Sequence, residues 1–256
     1  MTPTRALGWS IASAAVACGL VLLWQLVSQS GWIAPIYLPS PAKSWQALLR
    51  GFEQHDLGAM TAHTVGLMLA GWLAASVVGV CLGALIGMSP RARAYLQPSL
   101  ELLRPLPASA LAPVAIAIFG LSNAMTLSVT AFGALWPMLL ATVHGFSSVE
   151  PRLYEVSKIL GLKRWETAWK LALPHALPDI LAGMRLSLTL SLILAVLSEM
   201  LGSIPGLGLW VLQSARAFRS PELFAGVMLL GLIGLVSAAL LAAVETRLLR
   251  WKTHLR

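Results

Sequence analysis

The sequence predicts an all-α membrane protein with six transmembrane helices and one polar helical segment between the fourth and the fifth. Of its 256 residues, 57% are hydrophobic and only 11% are charged. Soluble domains carry roughly 25% charged residues, so this deficit indicates a chain that lies mostly in a lipid bilayer. Lys and Arg are concentrated in short stretches between long uncharged runs, which predicts spans joined by polar connections.

Residues 1–60 are predicted to hold the first transmembrane helix and an extracytoplasmic connection. Residues 6–27 form a mostly apolar run without a charged residue. A secretory signal peptide has an apolar region of about 7 to 15 residues, whereas a helix that spans the bilayer needs about 20. The run therefore predicts an uncleaved helix, followed by a proline-rich and aromatic connection and a short polar helix over 43–56.

Residues 61–244 are predicted to form the transmembrane core, and residues 245–256 a cytoplasmic tail. Five apolar runs supply the second to sixth spans, at 61–88, 105–120, 123–145, 179–201 and 223–244. The segment at 89–104 is predicted to be a basic loop. A glycine-rich loop with amphipathic character is predicted between the fifth and sixth spans.

Two of these spans carry informative small or rigid residues. In the second span, Gly79, Gly83 and Gly87 recur every four residues, a spacing that lets a neighbouring helix backbone approach closely. In the third span, Pro107 and Pro113 predict a kink, because proline interrupts the helical hydrogen-bond ladder. Irregular backbone at membrane depth occurs where protein or a water-filled path surrounds it, so the third span is a candidate pathway wall.

The distribution of basic residues predicts the orientation. Thirteen Lys and Arg residues fall on the side that holds both termini, against four on the opposite side. Cytoplasmic loops carry the excess of Lys and Arg. The count predicts a multi-pass membrane protein with both termini in the cytoplasm. It also accounts for the formal net charge of +8 without a nucleic-acid partner.

The polar segment at 147–178 is predicted to be a helix, a glycine corner, a second helix and a proline stop. Ser147 and Glu150 have the spacing of a capping box at a helix start. Gly161 suits the left-handed conformation that ends many helices. A polar helical insert in an apolar chain indicates a surface for a partner.

The second short helix of this segment is predicted over 163–173. Pro174 and Pro178 are expected to end it, because neither residue has the N–H group that would continue the ladder.

The order of residues in this segment resembles the EAA motif of permease subunits of ATP-binding-cassette (ABC) importers. The matching positions are Glu155, Gly161, Leu171, Leu173 and Pro174. Val156 and Ser157 stand where the motif has alanines, and Leu171 stands where it has isoleucine. An ordinary amphipathic cytoplasmic loop is the alternative interpretation of the segment.

The resemblance implies the type I ABC importer permease fold, with a coupling helix that docks into a cleft of a cytoplasmic ATPase. It implies as partners two ABC ATPase subunits, an extracytoplasmic substrate-binding protein, and a second permease copy in a homodimer. ATP and Mg would be bound by the ATPase, and the permease would lie in the bacterial plasma (inner) membrane. In the coupling loop, Glu155 is expected to form charge-assisted hydrogen bonds, which are stronger than neutral ones.

Further stretches resemble the sulfonate, taurine and nitrate branch of these permeases. They are Leu38-Pro39-Ser40-Pro41, Arg104-Pro105-Leu106-Pro107, and Ser198-Glu199-Met200 followed by Gly206-Leu207-Gly208. The branch implies a small solute such as an organic sulfonate, taurine or a nitrate-like anion; a heterocyclic vitamin precursor is an alternative within the family. The chain departs from the branch after the third span, where LSNAMT replaces an acidic, serine and lysine cluster.

Neither catalysis nor cofactor or metal binding is predicted for the chain itself. It contains no GxxxxGK[ST] phosphate-binding loop, and its five histidines lack HExxH or paired-ligand spacing. Cys18 and Cys81 lie in apolar runs, where they act as small hydrophobes. A secondary carrier or channel, or an intramembrane enzyme, is the alternative class. A carrier would need inverted halves or coupling-ion residues, which the sequence does not show.

Polar or aromatic residues in or beside the apolar spans are candidates for lining the translocation path: Ser109, Asn123, Trp136 and Glu199. Charges at membrane depth are costly and usually face protein or water. Arg185 and Glu199 share one face of the fifth span but lie nearly four turns, about 20 Å, apart, so they cannot pair with each other. A structural pairing of each charge with another group is the alternative to a pathway role.

Overall fold

The computed structural model describes residues 3–103 and 105–250, and in these ranges the chain is helical without β-strands. The α-helices, in chain order, are α1 (Pro3–Gln29), α2 (Pro41–Gln54), α3 (Leu57–Met88), α4 (Pro90–Leu103), α5 (Ala112–Phe119), α6 (Asn123–Ser147), α7 (Pro151–Ile159), α8 (Arg164–Thr167), α9 (Leu173–Gly202), α10 (Leu207–Arg216) and α11 (Ser220–Leu248). A 3₁₀ turn at Ala108–Leu111 precedes α5, and a π-helical turn at Ala168–Ala172 joins α8 to α9.

The all-α membrane fold is confirmed. Within the described ranges, four helical stretches are long and apolar enough to cross a bilayer: α3, α6, Trp165–Gly202 and α11. A fifth is formed if α4 and the helical residues Ala108–Phe119, which are sharply bent against each other, count as one span. α1 contributes the shorter apolar helix Ala15–Gln29. The predicted total of six spans remains a prediction.

The third predicted span, 105–120, is not one continuous helix. α5 has only 8 residues, about 12 Å of helix against a hydrocarbon core of about 30 Å. Pro107 lies at the start of the 3₁₀ turn and Pro113 in the first turn of α5, so neither is placed where a helical N–H would be required. The predicted break in helical structure is observed, and the assignment of 105–120 as a span remains a prediction.

Three connections contain more helix than expected. The basic loop predicted at 89–104 holds α4, which starts where the Ala92 N–H donates to the Ser89 hydroxyl over 3.2 Å and Pro90 takes the first helical position. The glycine-rich loop after the fifth span holds α10. α11 continues into the predicted tail at 245–256 as far as Leu248, and residues 251–256 lie outside the described residues.

The glycine stripe of α3 packs directly against α6. A Cβ atom at Gly79 would lie 2.8 Å from Met138 Cγ, one at Gly83 2.6 Å from Thr142 Cβ, and one at Gly87 2.7 Å from Phe146 Cβ. These distances are shorter than carbon–carbon contact, so only glycine permits the observed separation. The close helix approach predicted from the four-residue spacing is confirmed.

The chain divides into two compact units, Met1–Ala59 with Trp210–Gly231, and Met60–Leu209 with Leu232–Arg256. In the first unit, the Trp24 indole N–H donates to the Pro39 carbonyl over 3.0 Å. The same indole stacks on Phe224, with 5.5 Å between ring centroids. This unit therefore joins α1 to the start of α11.

In the second unit, α6 and α9 pack against each other and form much of the core. The buried Ser187 hydroxyl donates to the Ala134 carbonyl over 2.7 Å, and Gly183 lies so close to α6 that an added Cβ would be 2.6 Å from Ala141 Cβ. Buried Met125, Val129 and Leu194 fill one end of the interface. All the candidate functional residues lie in this unit.

The predicted orientation can be tested with single cysteines at two exposed positions. Ser203 follows α9, and Lys163 lies between α7 and α8. After the exposed Cys18 and Cys81 are replaced by alanine, we expect a membrane-impermeant maleimide to label Ser203→Cys in intact cells. Lys163→Cys should be labelled only after permeabilisation. The reverse labelling pattern would refute the orientation.

Candidate functional site

Helix α7 ends at a glycine corner, as the sequence predicts. Gly161 has φ +67. Its N–H donates to the Lys158 carbonyl over 3.1 Å, and the Leu162 N–H donates to the Ser157 carbonyl over 2.9 Å. These two bonds are the pair that defines a Schellman helix end. No heavy atom lies within 4 Å of a Cβ built on Gly161, so glycine is required there by the backbone conformation alone.

The capping box predicted at Ser147 and Glu150 is wrong. Ser147 is the last residue of α6, and its hydroxyl donates to the His144 carbonyl over 2.9 Å. Glu150 occupies the N-cap of α7 without a side-chain cap hydrogen bond. One of the two hydrogen bonds of a capping box is found instead at α8, where the Lys163 N–H donates to Glu166 Oε2 over 2.9 Å.

The predicted proline stop is also wrong. Pro174 lies in the first turn of α9 and Pro178 lies inside it, while α8, the π-helical turn and α9 follow one another without a loop. In a π-helical turn, each N–H group bonds to the carbonyl five residues earlier instead of four. The turn at Ala168–Ala172 thus shifts the hydrogen-bond pattern just before Pro174, which has no N–H group to donate. The coupling segment therefore runs directly into the fifth span.

The five residues of the EAA-like motif have different surroundings. Leu173 packs against the buried cluster of Met138, Phe146 and Ala176, and Leu171 is half-buried. Pro174 and Glu155 are exposed. The Glu155 carboxylate forms no hydrogen bond or ion pair with any residue of the described ranges, so the bonds expected to position the loop do not come from this part of the chain.

One side of α7 presents apolar side chains to the outside. We call the exposed Val156, Ile159 and Leu160, together with Glu155, the docking face. Val156 is 46% exposed, Ile159 84% and Leu160 66%. The opposite side of α7 carries the buried Ser157 and the half-buried Tyr154. Burial raises the pKa of the Tyr154 phenol, and the positive charge of Arg93 opposes that shift. α7 is thus an amphipathic helix whose apolar residues face outward.

A cavity of about 730 Å³ lies beside α6 and α9. Two of the predicted pathway residues line it, Ser109 from the 3₁₀ turn and Trp136 from α6. His144 and Asp179 also line it, and the sequence analysis missed them. Both residues lie at the ends of apolar runs. A polar residue at such a position is ordinarily assigned to the membrane surface, so neither was predicted to line a pathway.

The other two predicted pathway residues lie elsewhere. Asn123 is an exposed residue at the start of α6, where its Oδ1 is 3.2 Å from His63 Nε2. Glu199 is 0% exposed and does not line the cavity. Its carboxylate is surrounded by protein groups.

The Glu199 carboxylate caps the first turn of α10. Gly208, in that turn, donates its N–H to Glu199 Oε2 over 2.9 Å. The Thr64 hydroxyl donates to Glu199 Oε1 over 2.8 Å and accepts from the Leu207 N–H over 2.9 Å. His63 Nδ1 is 3.6 Å from Glu199 Oε1. The free N–H groups and positive end of a helix stabilise an anion, so this buried charge is satisfied structurally.

Two glycines create the space for this cap. A Cβ at Gly206 would overlap the Glu199 carboxyl group, and one at Gly208 would overlap the Val196 carbonyl oxygen. The Ser198-Glu199-Met200 and Gly206-Leu207-Gly208 stretches are thus one structural unit, in which the glycines admit the carboxylate to the helix end. Arg185, the other charge of the fifth span, forms an ion pair with Glu245 of α11.

Comparison with known proteins identifies the family. Residues 59–250 match the family described as binding-protein-dependent transport system inner membrane component. The SsuC protein of Bacillus subtilis (strain 168), whose provisional description is aliphatic sulfonates transport permease protein, is 30% identical over 91% of this chain and 84% of its own length. The taurine transport system permease protein TauC of Escherichia coli (strain K12) is 28% identical over 91% of this chain and 86% of its own length.

A solved structure shares the fold. A chain of the MetNI methionine ABC transporter, crystallised in inward-facing conformations, superposes with a TM-score of 0.60 at 17% identity, over 75% of this chain and 98% of that chain. The predicted type I importer permease fold and the predicted sulfonate and taurine branch are confirmed. The chain belongs to the family of binding-protein-dependent transport system inner membrane components, the permease subunits of ABC importers.

Proposed function

We propose that this permease imports a small anion, with energy from ATP and Mg bound by a separate ABC ATPase that docks on α7. The observation that carries the proposal is the docking face: exposed apolar side chains beside a Glu155 carboxylate without a partner in the described chain. Exposed apolar residues outside the bilayer favour a protein partner. Glu155, Gly161, Leu171, Leu173 and Pro174 are the residues to which we assign the coupling.

The coupling residues have three tasks in this proposal. Glu155 contacts the ATPase, where its carboxylate accepts hydrogen bonds. Gly161 holds the corner that sets the angle of α7. Leu171 and Leu173 connect the segment to the membrane core, as the packing of Leu173 against Phe146 and Ala176 supports.

The substrate class we propose is a sulfonate, taurine or a nitrate-like anion. SsuC and TauC carry the names of aliphatic sulfonate and taurine transport. These solutes share a compact, permanently charged oxyanion. An extracytoplasmic binding protein would deliver the solute and select it. Transport of a heterocyclic vitamin precursor instead of these anions would change the substrate assignment.

A second copy of the chain is proposed to complete the pathway beside the cavity of α6 and α9. Leu186, Leu190 and Ile193 line that cavity and are 63%, 38% and 54% exposed. A homodimer would cover these side chains and enclose the cavity. Ser109 and Trp136 would then lie along the path, whereas Glu199 would support it from inside the protein.

Transport by reconstituted components tests the proposed function. The purified permease, its ATPase and its binding protein are assembled in liposomes, and uptake of labelled taurine, an alkanesulfonate and nitrate is measured with and without ATP. We expect ATP-dependent uptake of at least one of these anions and none from the permease alone. Uptake that needs no ATPase, or ATP-dependent uptake of none of them, would contradict the proposal.

The cavity can be tested separately by blocking it. With Cys18 and Cys81 replaced, Ser109→Cys is modified by a bulky thiol reagent. We expect uptake to fall at least tenfold, on the order of 1.4 kcal/mol in the barrier, because the added group fills the cavity. Ser99→Cys, at an exposed position on α4, is the matched control and should keep uptake after the same treatment. Equal uptake by both modified proteins would remove Ser109 from the pathway.

A further inference from the structure

We propose that the chain binds an anionic phospholipid at the junction of α3, α4 and α7, with its phosphate beside Lys158 and an acyl chain along α3. The observation is a pair of adjacent cavities with opposite character. One is basic and polar and the other is apolar, and Met88 at the end of α3 lines both. An amphiphile has the matching division between a charged head and a hydrocarbon tail.

The polar cavity has a volume of about 470 Å³. Its wall includes Lys158, Tyr154 and the hydroxyl-bearing Ser89, Ser157 and Thr167, and no acidic residue is among the described residues that line it. The Lys158 ammonium group forms no hydrogen bond or ion pair with any residue of the described ranges. Arg93 adds positive charge close to Tyr154. The Ser157 and Thr167 hydroxyls donate to the carbonyls of Tyr154 and Lys163, whereas the Ser89 hydroxyl only accepts, from the Ala92 N–H. The cavity therefore offers a phosphate the Lys158 cation and the hydroxyl protons of Ser89 and Tyr154.

The apolar cavity also measures about 470 Å³, and the described residues on its wall are hydrophobic side chains and Cys81. It runs from Val80 to Met88 on α3, roughly 12 Å along the helix, and is bordered by Trp165 and Trp169. These tryptophans are 66% and 67% exposed. Tryptophan is enriched where the bilayer meets water, which places the two cavities at the headgroup level.

The two cavities together favour a lipid over a soluble phosphate compound. Basic pockets between transmembrane helices bind anionic headgroups, and each basic residue contributes about 1 kcal/mol near the surface. A free phosphate would use only the polar cavity. The site does not overlap the docking face, since Tyr154 and Ser157 lie on the opposite side of α7. A bound headgroup would link the start of α4 to the coupling segment.

Lipid retention by the full-length chain tests the site. The chain is reconstituted in nanodiscs of phosphatidylglycerol and phosphatidylcholine, and retained lipids are counted by native mass spectrometry. We expect preferential retention of phosphatidylglycerol, reduced about fivefold by Lys158→Gln and restored by Lys158→Arg. Ala84→Phe, which fills the apolar cavity, should reduce retention with Lys158 intact. Lys163→Gln, an exposed position outside both cavities, should retain the lipid as the wild type does.

The remaining outcomes would overturn the proposal. Equal retention by the wild type and a folded Lys158→Gln variant would show that the cavity holds no phosphate. Displacement of phosphatidylglycerol by an equal concentration of glycerol phosphate would assign the site to a soluble phosphate compound. Circular dichroism and gel filtration of each variant establish that the chain is folded. Neither result bears on ATP-dependent uptake, so the test is independent of the proposed transport function.

Discussion

Gly161→Val is expected to abolish substrate-stimulated ATP hydrolysis and uptake together, while the permease still inserts in the membrane. Gly161 has φ +67, a conformation that costs a residue with a Cβ roughly 1 to 2 kcal/mol. The space around it is open, so the loss comes from the backbone. Without the left-handed corner, the two Schellman hydrogen bonds break and the docking face changes its angle.

Gly161→Asn is the matched control, because asparagine adopts the left-handed conformation more readily than other non-glycine residues. We expect this variant to keep most of the stimulated hydrolysis. The measurement is ATPase activity of the assembled complex with and without loaded binding protein, alongside uptake in the same liposomes. If Gly161→Val supported normal stimulation and uptake, the assignment of 147–178 to coupling would have to be withdrawn.

Gly208→Ala is expected to destabilise the permease by roughly 2 to 5 kcal/mol, since it combines overpacking with the loss of a buried cap. The added Cβ would overlap the Val196 carbonyl oxygen, which belongs to the α9 backbone and cannot move alone. α10 must shift away, and the Glu199 carboxylate then loses the Gly208 N–H. The buried Glu199 carboxyl group is then left with one hydrogen-bond donor fewer.

Thermal unfolding of the purified protein in detergent measures this effect. Gly66→Ala is the control, because Gly66 is also helical but nothing lies within 4 Å of its added Cβ. That variant should be neutral or slightly more stable, since alanine favours helix over glycine by about 1 kcal/mol. Equal melting temperatures for the two variants would show that α10 does not depend on the close contact at Gly208.

Local patterns predicted the features that depend on neighbouring residues. Apolar runs are long enough to mark α3, α6 and α11, and the four-residue glycine spacing marks the face of α3 that meets α6. The corner at Gly161 was predictable for the same reason, because a left-handed helix end is set by one residue and its neighbours. The family motif added the expectation of a partner at α7.

Contacts between distant residues were not predictable. Thr64 and Glu199 are separated by 135 positions, and no local pattern shows that a carboxylate in one helix will cap another. A structural pairing of Arg185 was one of the alternatives, but no local pattern indicated its partner, which is Glu245 of α11. The predicted proline stop was wrong because a π-helical turn can accommodate the N–H donor that proline lacks. The sequence shows the proline but not the turn.

The continuity of the fifth span with the coupling segment has a mechanical consequence. Trp165–Gly202 contains 38 residues in one helical stretch, roughly 57 Å at about 1.5 Å per residue. Beyond the π-helical turn, α9 is a continuous helix, so a sideways displacement of its start would tilt the end that carries Glu199. The π-helical turn is the most compliant point of the stretch, and the carboxylate at its far end holds the first turn of α10. A displacement of a few ångströms near α7 would therefore be transmitted through α9 to the first turn of α10.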